Sequence, residues 1–292
     1  MMVGTYADVV LADAIVKNIS GFDQDLAWKA LHRDAYEEYT ADTSRGKTGL
    51  AHYKEHGFVP VDVGIAEACS RTLDFAFADA ACAAAAQRLG KLQEATELRL
   101  RSRQALRRMY DPRRGLMGRP KQTQDFVEMS PETWGFCYTE GSAWQHSFPP
   151  FDLELLVELH GGPGQLLQKL EDMFRVPAYF ETGSYQAVIH EMREMLDLGM
   201  GQYAHNNQPV HHVPYLFAML GMHNATAKLV RQILAQAYSP DGYAGDEDNG
   251  EMGSWYVLSA LGLYDPDAQL HIMRGSTFEF GSPRCVSMAA AI

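Results

Sequence analysis

The chain has 292 residues, of which 46% are hydrophobic and 21% charged, and its formal net charge is −12. This length and composition predict a globular protein with one large core or two smaller domains. The acidic balance argues against a nucleic-acid or anionic-membrane partner, because either would need a positively charged surface. We therefore expect neither partner, and a neutral or cationic substrate instead.

Seven segments of the sequence place apolar residues three and four positions apart, which is the spacing of amphipathic helices. In chain order they span residues 6–19, 23–39, 64–90, 92–110, 164–174, 226–238 and 251–264. Short linkers that contain glycine or proline separate several of these segments. The sequence therefore predicts a body built from helical hairpins.

Strand-like sequence is confined to one segment near the end. Only residues 268–282 combine alternating apolar and polar residues with the β-branched and aromatic side chains that are common in strands. We therefore expect a mainly α fold, with a helical unit over residues 1–265 and a short β segment over residues 266–292. No run approaches the roughly 18 consecutive apolar residues that span a bilayer, so no membrane helix is predicted.

The cysteines show no metal-binding or disulfide pattern. The four of them, at positions 69, 82, 137 and 285, have no C-x-x-C spacing, so we predict neither a zinc site nor a disulfide framework. Cys69 and Cys82 lie in helical apolar stretches and are interpreted as buried thiols. The H-E-x-x-H spacing of zinc hydrolases is also absent, which argues against zinc.

Chemically active side chains concentrate in four regions that lie mostly between the predicted helices. These regions are 134–152, 184–195, 201–215 and 241–256. They are rich in Trp, Tyr, His, Asn and carboxylates, whereas helix linkers in a structural bundle are usually small or charged. Aromatic faces stack on sugar rings, and amides and carboxylates bind hydroxyl groups, so the pattern is typical of a carbohydrate-binding cleft.

The carboxylates in these regions have two interpretations. Glu140 fits a role in chemistry, and it fits equally well an acid at a helix N-terminus, which the helix dipole favours. Asp246, Glu247 and Asp248 also precede a predicted helix, but one cap needs only one acid, and each further carboxylate adds repulsion. In an extended loop Asp246 and Asp248 would point the same way, with Glu247 turned outward. This spacing favours a site.

The histidines also have two interpretations. His205, His211 and His212 fit substrate contact or ligation, and they fit buried, hydrogen-bonded structural histidines equally well. The pair His190 and Glu191 fits a substrate subsite, and it also fits an exposed stretch of an amphipathic helix, because two adjacent residues are a weak signal.

Three of the regions, taken in order, resemble the catalytic domain of glycoside hydrolase family 92, the calcium-dependent inverting exo-α-mannosidases. TEGSAWQHSFPPFD, GQYAHNNQPVHH and GDEDNGEMGSWYVLSALGLY are each similar to a motif of that family. The resemblance extends from near residue 2 to near residue 280. One departure is Asn206, which stands where the family usually has a glycine and which can adopt a positive φ at modest cost.

The resemblance implies roles for the carboxylates and a fold. Glu140 corresponds to the general acid, and Asp246 and Asp248 correspond to the pair that activates the attacking water. An inverting enzyme needs these groups on opposite faces of the sugar, with room for a water between them. The implied fold is an incomplete (α/α)6-barrel-like helical toroid.

The resemblance also implies a cation and a substrate. A bound Ca²⁺ would contact mannose hydroxyls, with Asn207 and Gln208 as its candidate ligands. His190 and Glu191 would line the leaving-sugar subsite and select α-1,2 linkages, and Trp144, His211 and His212 would contact substrate. The expected partner is a mannose-containing oligosaccharide or a glycoprotein glycan.

Two alternatives remain open at this point. Family members carry an N-terminal β-sandwich ahead of this region, so the chain is expected to be the later part of a longer catalytic domain. It would then be an enzyme, or a catalytically silent carbohydrate-binding or scaffold fragment. A different (α/α)-toroid enzyme, such as a glucoamylase-like hydrolase, would keep paired carboxylates without calcium. The compartment stays open, with a secreted or periplasmic location favoured over a cytoplasmic one.

Overall fold

The structure, a computed structural model, describes residues 3–38 and 46–262. Helices dominate this part of the chain. In order they are α1 (Ala7–Val16), α2 (Gln24–Tyr36), α3 (Leu50–His56), α4 (Ala68–Arg88), α5 (Leu92–Met109), α6 (Ala143–His146), α7 (Leu153–Leu159), α8 (Pro163–Arg175), α9 (His190–Leu198), α10 (Val213–Met219), α11 (His223–Gln236) and α12 (Glu251–Ala260).

Two short antiparallel hairpins interrupt the helices. Their strands are β1 (Tyr110–Asp111), β2 (Leu116–Met117), β3 (Tyr238–Ser239) and β4 (Gly242–Tyr243), with β1 paired to β2 and β3 to β4. Both hairpins turn at the Pro- and Gly-containing linkers of the sequence, so the turn chemistry was visible although the strands were not. The sequence analysis predicted strands only near the chain end. That prediction was wrong, because both hairpins lie earlier in the chain.

The helices before the first hairpin pack around the antiparallel pair α4 and α5. Helices α1 and α2 lie against α4, whose run from Ala83 to Ala86 is buried. Alanine carries only a methyl group, so neighbouring helices approach α4 closely at this run. A small core forms there, with Trp28 and Leu31 of α2 and Leu98 of α5 among its members.

A larger core connects the rest of the described chain. It joins the first halves of α3 and α4 to α7, α8, α10 and α11, and it includes Trp255 of α12. The loops with the candidate site residues lie between these helices. The core therefore fixes the positions at which those loops enter and leave.

The helical prediction is confirmed. All seven predicted segments form helices, with ends that differ by a few residues from the predicted ones. The helices α3, α6, α7, α9 and α10 were not predicted, because each has nine residues or fewer and too few turns for a clear apolar period. The predicted β segment and its boundary near 265 lie outside the described residues. No helix among the residues described is long and apolar enough to cross a membrane.

The expectation about the cysteines was wrong for one pair. Cys69, near the start of α4, and Cys137, in the loop before α6, form a disulfide with their Cα atoms 4.9 Å apart. The two residues are 68 positions apart, and spacing alone does not identify such a pair. Cys82 is a buried free thiol, as expected.

Candidate active site

A cavity of about 340 Å³ lies where the loops before α6, α10 and α12 meet. Its lining includes the acids Glu140 and Asp248, the amides Asn207 and Gln208, and the imidazoles His146 and His212. Aromatic rings complete the wall, among them Phe148 and Phe151. The cavity thus brings together side chains from three of the four regions that the sequence singled out.

The main chain around Glu140 is fixed by hydrogen bonds from four directions. The N–H of Glu140 donates to the Tyr185 hydroxyl at 2.8 Å, and the amide of Asn207 donates to the carbonyl of Glu140. On the preceding residue, the N–H of Thr139 donates to Ser70 Oγ at 2.8 Å, and His146 Nε2 donates to the Thr139 carbonyl at 3.0 Å. The loop therefore presents the Glu140 carboxylate from a rigid support.

Glu140 is not a helix cap. The N-cap of α6 is Ser142, which forms a capping box with Gln145, so the structural interpretation of Glu140 does not hold. Glu140 is exposed and has φ +45°, a left-handed conformation that costs a non-glycine residue roughly 1 kcal/mol or more. Backbone strain of this kind collects at functional sites.

The disulfide and the loop of Glu140 belong to the same local structure. The N–H groups of Cys69 and Ser70 both donate to the Cys137 carbonyl at 3.0 Å. The disulfide thus ties the loop to the first turn of α4, three residues before Glu140. It adds a covalent anchor to the hydrogen bonds of that loop.

The segment of Asn207 and Gln208 joins the loop of Glu140 to the acidic loop before α12. The Asn207 amide donates to the Glu140 carbonyl, and Gln208 Nε2 donates to the Asp246 carbonyl at 3.1 Å. Two consecutive amides therefore connect the loop of Glu140 to the loop of Asp246 and Asp248. In each side chain the amide nitrogen makes this bond, and the amide oxygen remains available as an acceptor.

The acidic loop approaches this segment through Gly245. The residue has φ +80°, and a β-carbon placed on it would lie 2.3 Å from the carbonyl oxygen of Asn206. Only glycine fits such a contact. Gly245 thus allows the two backbones to approach closely, whereas Gly250, at φ +97°, has open space around it and serves as the N-cap of α12.

The three acids of this loop have different surroundings. Glu247 accepts hydrogen bonds from the N–H groups of Gly250 and Gly253, so it caps α12 and points away from the cavity. Asp248 lines the cavity and has φ +52°. The Asp246 carboxylate lies 3.9 Å from His190 Nε2 instead of in the cavity wall, so the two aspartates do not face the same way.

His190 and Glu191 open helix α9 beside Asp246. His190 Nδ1 lies 3.1 Å from Glu194 Oε1, and its Nε2 lies 3.1 Å from Glu191 Oε1. The hydrogen bond with Glu194, and then the charges of Glu191 and Asp246, raise the pKa of His190. The His190 side chain is 52% exposed and free to meet a ligand.

Asn206 is buried and behaves unlike the glycine it replaces. Its φ is not positive, and its Nδ2 donates to the Glu191 carbonyl at 2.9 Å and to Glu194 Oε2 at 3.2 Å. The expectation of a positive φ was wrong, because these hydrogen bonds hold the side chain against α9. Asn206 therefore connects the cavity segment to the helix of His190.

The predicted histidines divide into two groups. His205 and His211 stack on each other with centroids 4.2 Å apart, and His211 bridges Glu251 and the His205 carbonyl at 2.7 Å each. They form a buried cluster with Trp255, as the structural interpretation expected, and they do not line the cavity. His212 does line it, donates to the Phe148 carbonyl at 2.5 Å, and has its pKa lowered to about 4 by burial.

Trp144 does not lie at the cavity. Its ring is 4% exposed, its indole N–H donates to Glu132 at 3.2 Å, and Lys169 Nζ lies 4.5 Å from the ring centroid. The prediction that Trp144 contacts substrate is therefore corrected. The ring belongs to the core beneath α6.

Asp74 is a cavity residue that the sequence analysis missed. It lies on α4 and lines the same cavity as Glu140, and it accepts a hydrogen bond from the Tyr6 hydroxyl at 3.1 Å. Burial raises the pKa of Asp74 to about 7. In the sequence, Asp74 stands within a long apolar helix, and its position in that pattern carries no functional signal.

The oxygen atoms at the cavity fit a hard cation. Asn207 and Gln208 both line it, and their amide nitrogens donate hydrogen bonds to main-chain carbonyls. Their two amide oxygens therefore remain as possible metal ligands, beside the carboxylates of Glu140 and Asp248. Carboxylate and amide oxygens are the ligands that Ca²⁺ prefers. The donor chemistry is therefore consistent with calcium.

Several known proteins are similar to this chain in sequence, and two of them also in fold. A family 92 inverting mannosidase from Bacteroides thetaiotaomicron is 34% identical, with a TM-score of 0.78 over 92% of this chain and 37% of its own. A family 92 α-mannosidase from the same organism, solved with mannoimidazole, is 29% identical, with a TM-score of 0.77 over 92% of this chain and 34% of its own. A protein from Arthroderma benhamiae, described as an uncharacterized secreted glycosidase, is 26% identical over 94% of this chain and 37% of its own length.

The chain thus spans about a third of the length of these relatives. Their structures support the mainly α prediction, while closure of the helices into a complete (α/α)6 toroid stays a prediction. The sequence model described as the glycosyl hydrolase family 92 catalytic domain matches residues 1–289. The chain therefore belongs to glycoside hydrolase family 92.

Proposed function

We propose that the chain is part of a glycoside hydrolase that releases terminal α-linked mannose with inversion of configuration. The observation that carries this proposal is that Glu140 and Asp248 line one cavity in a chain of family 92. The neighbours named as mannosidases, one of them solved with mannoimidazole, support a mannose-containing glycan as substrate.

Glu140 is the proposed general acid. It would donate its proton to the glycosidic oxygen as the bond to the anomeric carbon breaks, and the departing sugar would keep that proton. The four hydrogen bonds around its peptide would keep the carboxyl in place during the transfer. Fixed donors cost no reorganisation at the moment of reaction.

Asp248 is the proposed base, together with Asp246. A water between Asp248 and the sugar would attack the anomeric carbon from the face opposite Glu140 and lose its proton to the carboxylate. Asp246 lies two residues before Asp248, with its carboxylate 3.9 Å from His190 Nε2. We assign Asp248 the direct contact with the water and Asp246 a supporting charge in the same loop.

Asn207 and Gln208 are the proposed calcium ligands. Calcium, when bound, would hold mannose hydroxyls and help to distort the ring toward the transition state. In the protein itself, the same two residues join the acid loop to the base loop. A ligand at their amide oxygens would therefore act where both loops meet.

His190 and Glu191 are the proposed contacts for the leaving sugar. Both lie at the N-terminus of α9, beside the loop of Asp246. The exposed imidazole lies beside the Glu191 carboxylate, so the pair offers polar groups to sugar hydroxyls. This pair is the basis for proposing an α-1,2 linkage.

The compartment is also a proposal. The relative described as a secreted glycosidase supports a secreted or periplasmic location. The substrate would then be a glycan outside the cytoplasm.

The test is the release of mannose from α-1,2-mannobiose, followed by proton NMR with calcium and with a chelator. We expect β-mannose to form first, as inversion requires. Glu140→Gln should abolish release, and Glu154→Gln, a variant of an exposed acid on α7, should not change it. Binding of mannoimidazole should be measured in parallel by calorimetry. A folded chain that neither binds mannoimidazole nor releases mannose would overturn the proposal.

A further inference from the structure

Helix α3 carries a cluster of metal-ligating side chains outside the cavity. His52, Glu55 and His56 each offer one ligand atom, and these three atoms all lie within 4.8 Å of one another. The residues follow the spacing His-x-x-Glu-His, in which positions i, i+3 and i+4 share one face of a helix. This is the reverse of the spacing that the sequence analysis sought for zinc.

The two imidazoles are arranged as a pair. Their rings stack with centroids 5.9 Å apart and an interplanar angle of 17°. His56 Nε2 lies 3.8 Å from the Glu55 carboxylate, which is too long for a hydrogen bond. The three groups are thus close to one another without being joined by hydrogen bonds.

Two nitrogen atoms of the cluster have no hydrogen-bond partner in the part of the chain that the structure describes. They are His52 Nδ1 and His56 Nε2, and both are shielded from solvent. Shielded polar atoms are almost always satisfied in native proteins, so each such exception calls for an explanation. A metal ion bound between them would satisfy both nitrogens.

The opposite face of α3 holds the cluster on a rigid support. Tyr53 is fully buried, and its hydroxyl donates to Asp79 at 3.0 Å. Leu50 also lies in the core, and Gly57 ends the helix directly after His56. The Glu55 side chain, at 72% exposed, leaves a path for an ion to enter.

We propose that His52, Glu55 and His56 form a binding site for a divalent transition-metal ion, with Zn²⁺ as the ion that suits the donors best. Two imidazoles and one carboxylate are a common zinc ligand set, and the exposed side leaves room for water as a further ligand. None of the three residues lines the cavity of Glu140, so the site is separate from the proposed calcium ligands. Bound zinc would join both ends of the short helix α3 and stabilise it.

The test is a zinc titration of the chelator-treated, redialysed chain by calorimetry. We expect the wild type to bind one more Zn²⁺ than the double variant His52→Gln/His56→Gln. Either single histidine variant should weaken that binding roughly tenfold or more. Even the loss of a group that only hydrogen-bonds to a metal ligand lowers metal affinity by about tenfold or more. Glu55→Gln should weaken it less, and His223→Gln, which removes an exposed helical histidine elsewhere, should leave it unchanged.

Two further readouts separate a built site from general histidine binding. Excess Ca²⁺ should not displace the zinc, because calcium selects oxygen donors. Saturating Zn²⁺ should raise the Tm of the wild type and not that of the double variant, with both shown to be folded by circular dichroism. Equal zinc stoichiometry in the wild type and the double variant would overturn the proposal.

Discussion

The amide of Asn207 donates a hydrogen bond to the main-chain carbonyl of Glu140. The next residue, Gln208, makes the same kind of bond to the Asp246 carbonyl. The relative position of the two carboxylate-bearing loops therefore depends on a dipeptide between them. The effect of changing this dipeptide can be separated from any effect on the carboxylates themselves.

Asn207→Asp should lower kcat strongly without weakening calcium binding. The change keeps the side-chain oxygen and adds a charge that favours Ca²⁺, but it replaces the N–H donor by a carboxylate oxygen that faces the Glu140 carbonyl. A lost hydrogen bond of this kind costs about 1–3 kcal/mol, or roughly 5–150-fold in rate if it is expressed in the transition state. Mannose release and calcium titration measure the two effects, and Asn224→Asp on α11 is the matched control. Loss of calcium affinity would show that Asn207 does not act as described.

Asp248→Asn should reduce turnover far more than Asp246→Asn. Asp248 lines the cavity, whereas Asp246 contacts His190, so only the first is placed to take a proton from the water. Loss of a general base costs typically 10²–10⁴-fold. The two variants are isosteric and lie in one loop, which makes each a control for the other. Equal losses would mean that the aspartates share the water.

Glu140→Gly should stabilise the fold while removing activity. The left-handed φ of Glu140 costs a side-chain-bearing residue roughly 1 kcal/mol, a cost that glycine does not carry. Glu140→Gln keeps the strain and serves as the control. We expect urea unfolding to give about 0.5–1 kcal/mol more stability for glycine than for glutamine at this position. A less stable glycine variant would indicate that the conformation is not strained.

Removal of the disulfide should destabilise the chain substantially. Cys69 and Cys137 close a loop of 68 residues, for which the chain-entropy relation gives about 4 kcal/mol. The double variant Cys69→Ala/Cys137→Ala should therefore unfold at lower urea, and reductant should shift the wild type in the same direction. The control variant Cys82→Ala should be destabilised by reductant as much as the wild type, because Cys82 is a free thiol. A wild type that reductant does not shift would contradict the disulfide.

Asp74→Asn should raise the Tm more at pH 8 than at pH 5. Burial raises the pKa of Asp74 to about 7 in the folded chain, well above its ordinary value near 4, so the folded state favours the protonated carboxyl. The stability from this group is complete below the unfolded pKa and is lost as pH rises toward 7 and above. Asparagine stays neutral and can still accept the Tyr6 hydrogen bond. Thermal unfolding at both pH values checks this, and an equal Tm change at the two values would contradict it.

The sequence predicted the positions of the long helices and the polar residues of the loops better than it predicted which side chains meet in the fold. Helix periods were clear in α4 and α5, where 21 and 18 residues give many turns. The acid and amide residues were found because three motifs resemble one family. The disulfide and Asp74 were not found, since pairing between distant positions and burial of one helical acid depend on tertiary packing.

Side-chain direction was the least predictable property of the site. The alternation argument turned Glu247 outward and placed Asp246 and Asp248 together, because it assumed an extended loop. In the structure, Glu247 instead folds onto α12 and accepts hydrogen bonds from the N–H groups of Gly250 and Gly253. The left-handed φ of Asp248 breaks that alternation. Trp144 shows the same limit, since an aromatic residue beside a family motif fits the core and the cleft equally well in sequence.

The contact between Gly245 and the Asn206 carbonyl has a consequence for protein engineering. Two segments that are remote in sequence meet there with no space for a methyl group. A loop exchanged from another family member would have to bring its partner segment with it, since neither surface can shift without moving the other. Changes of specificity by loop grafting should therefore treat residues 205–208 and 245–250 as one exchangeable module.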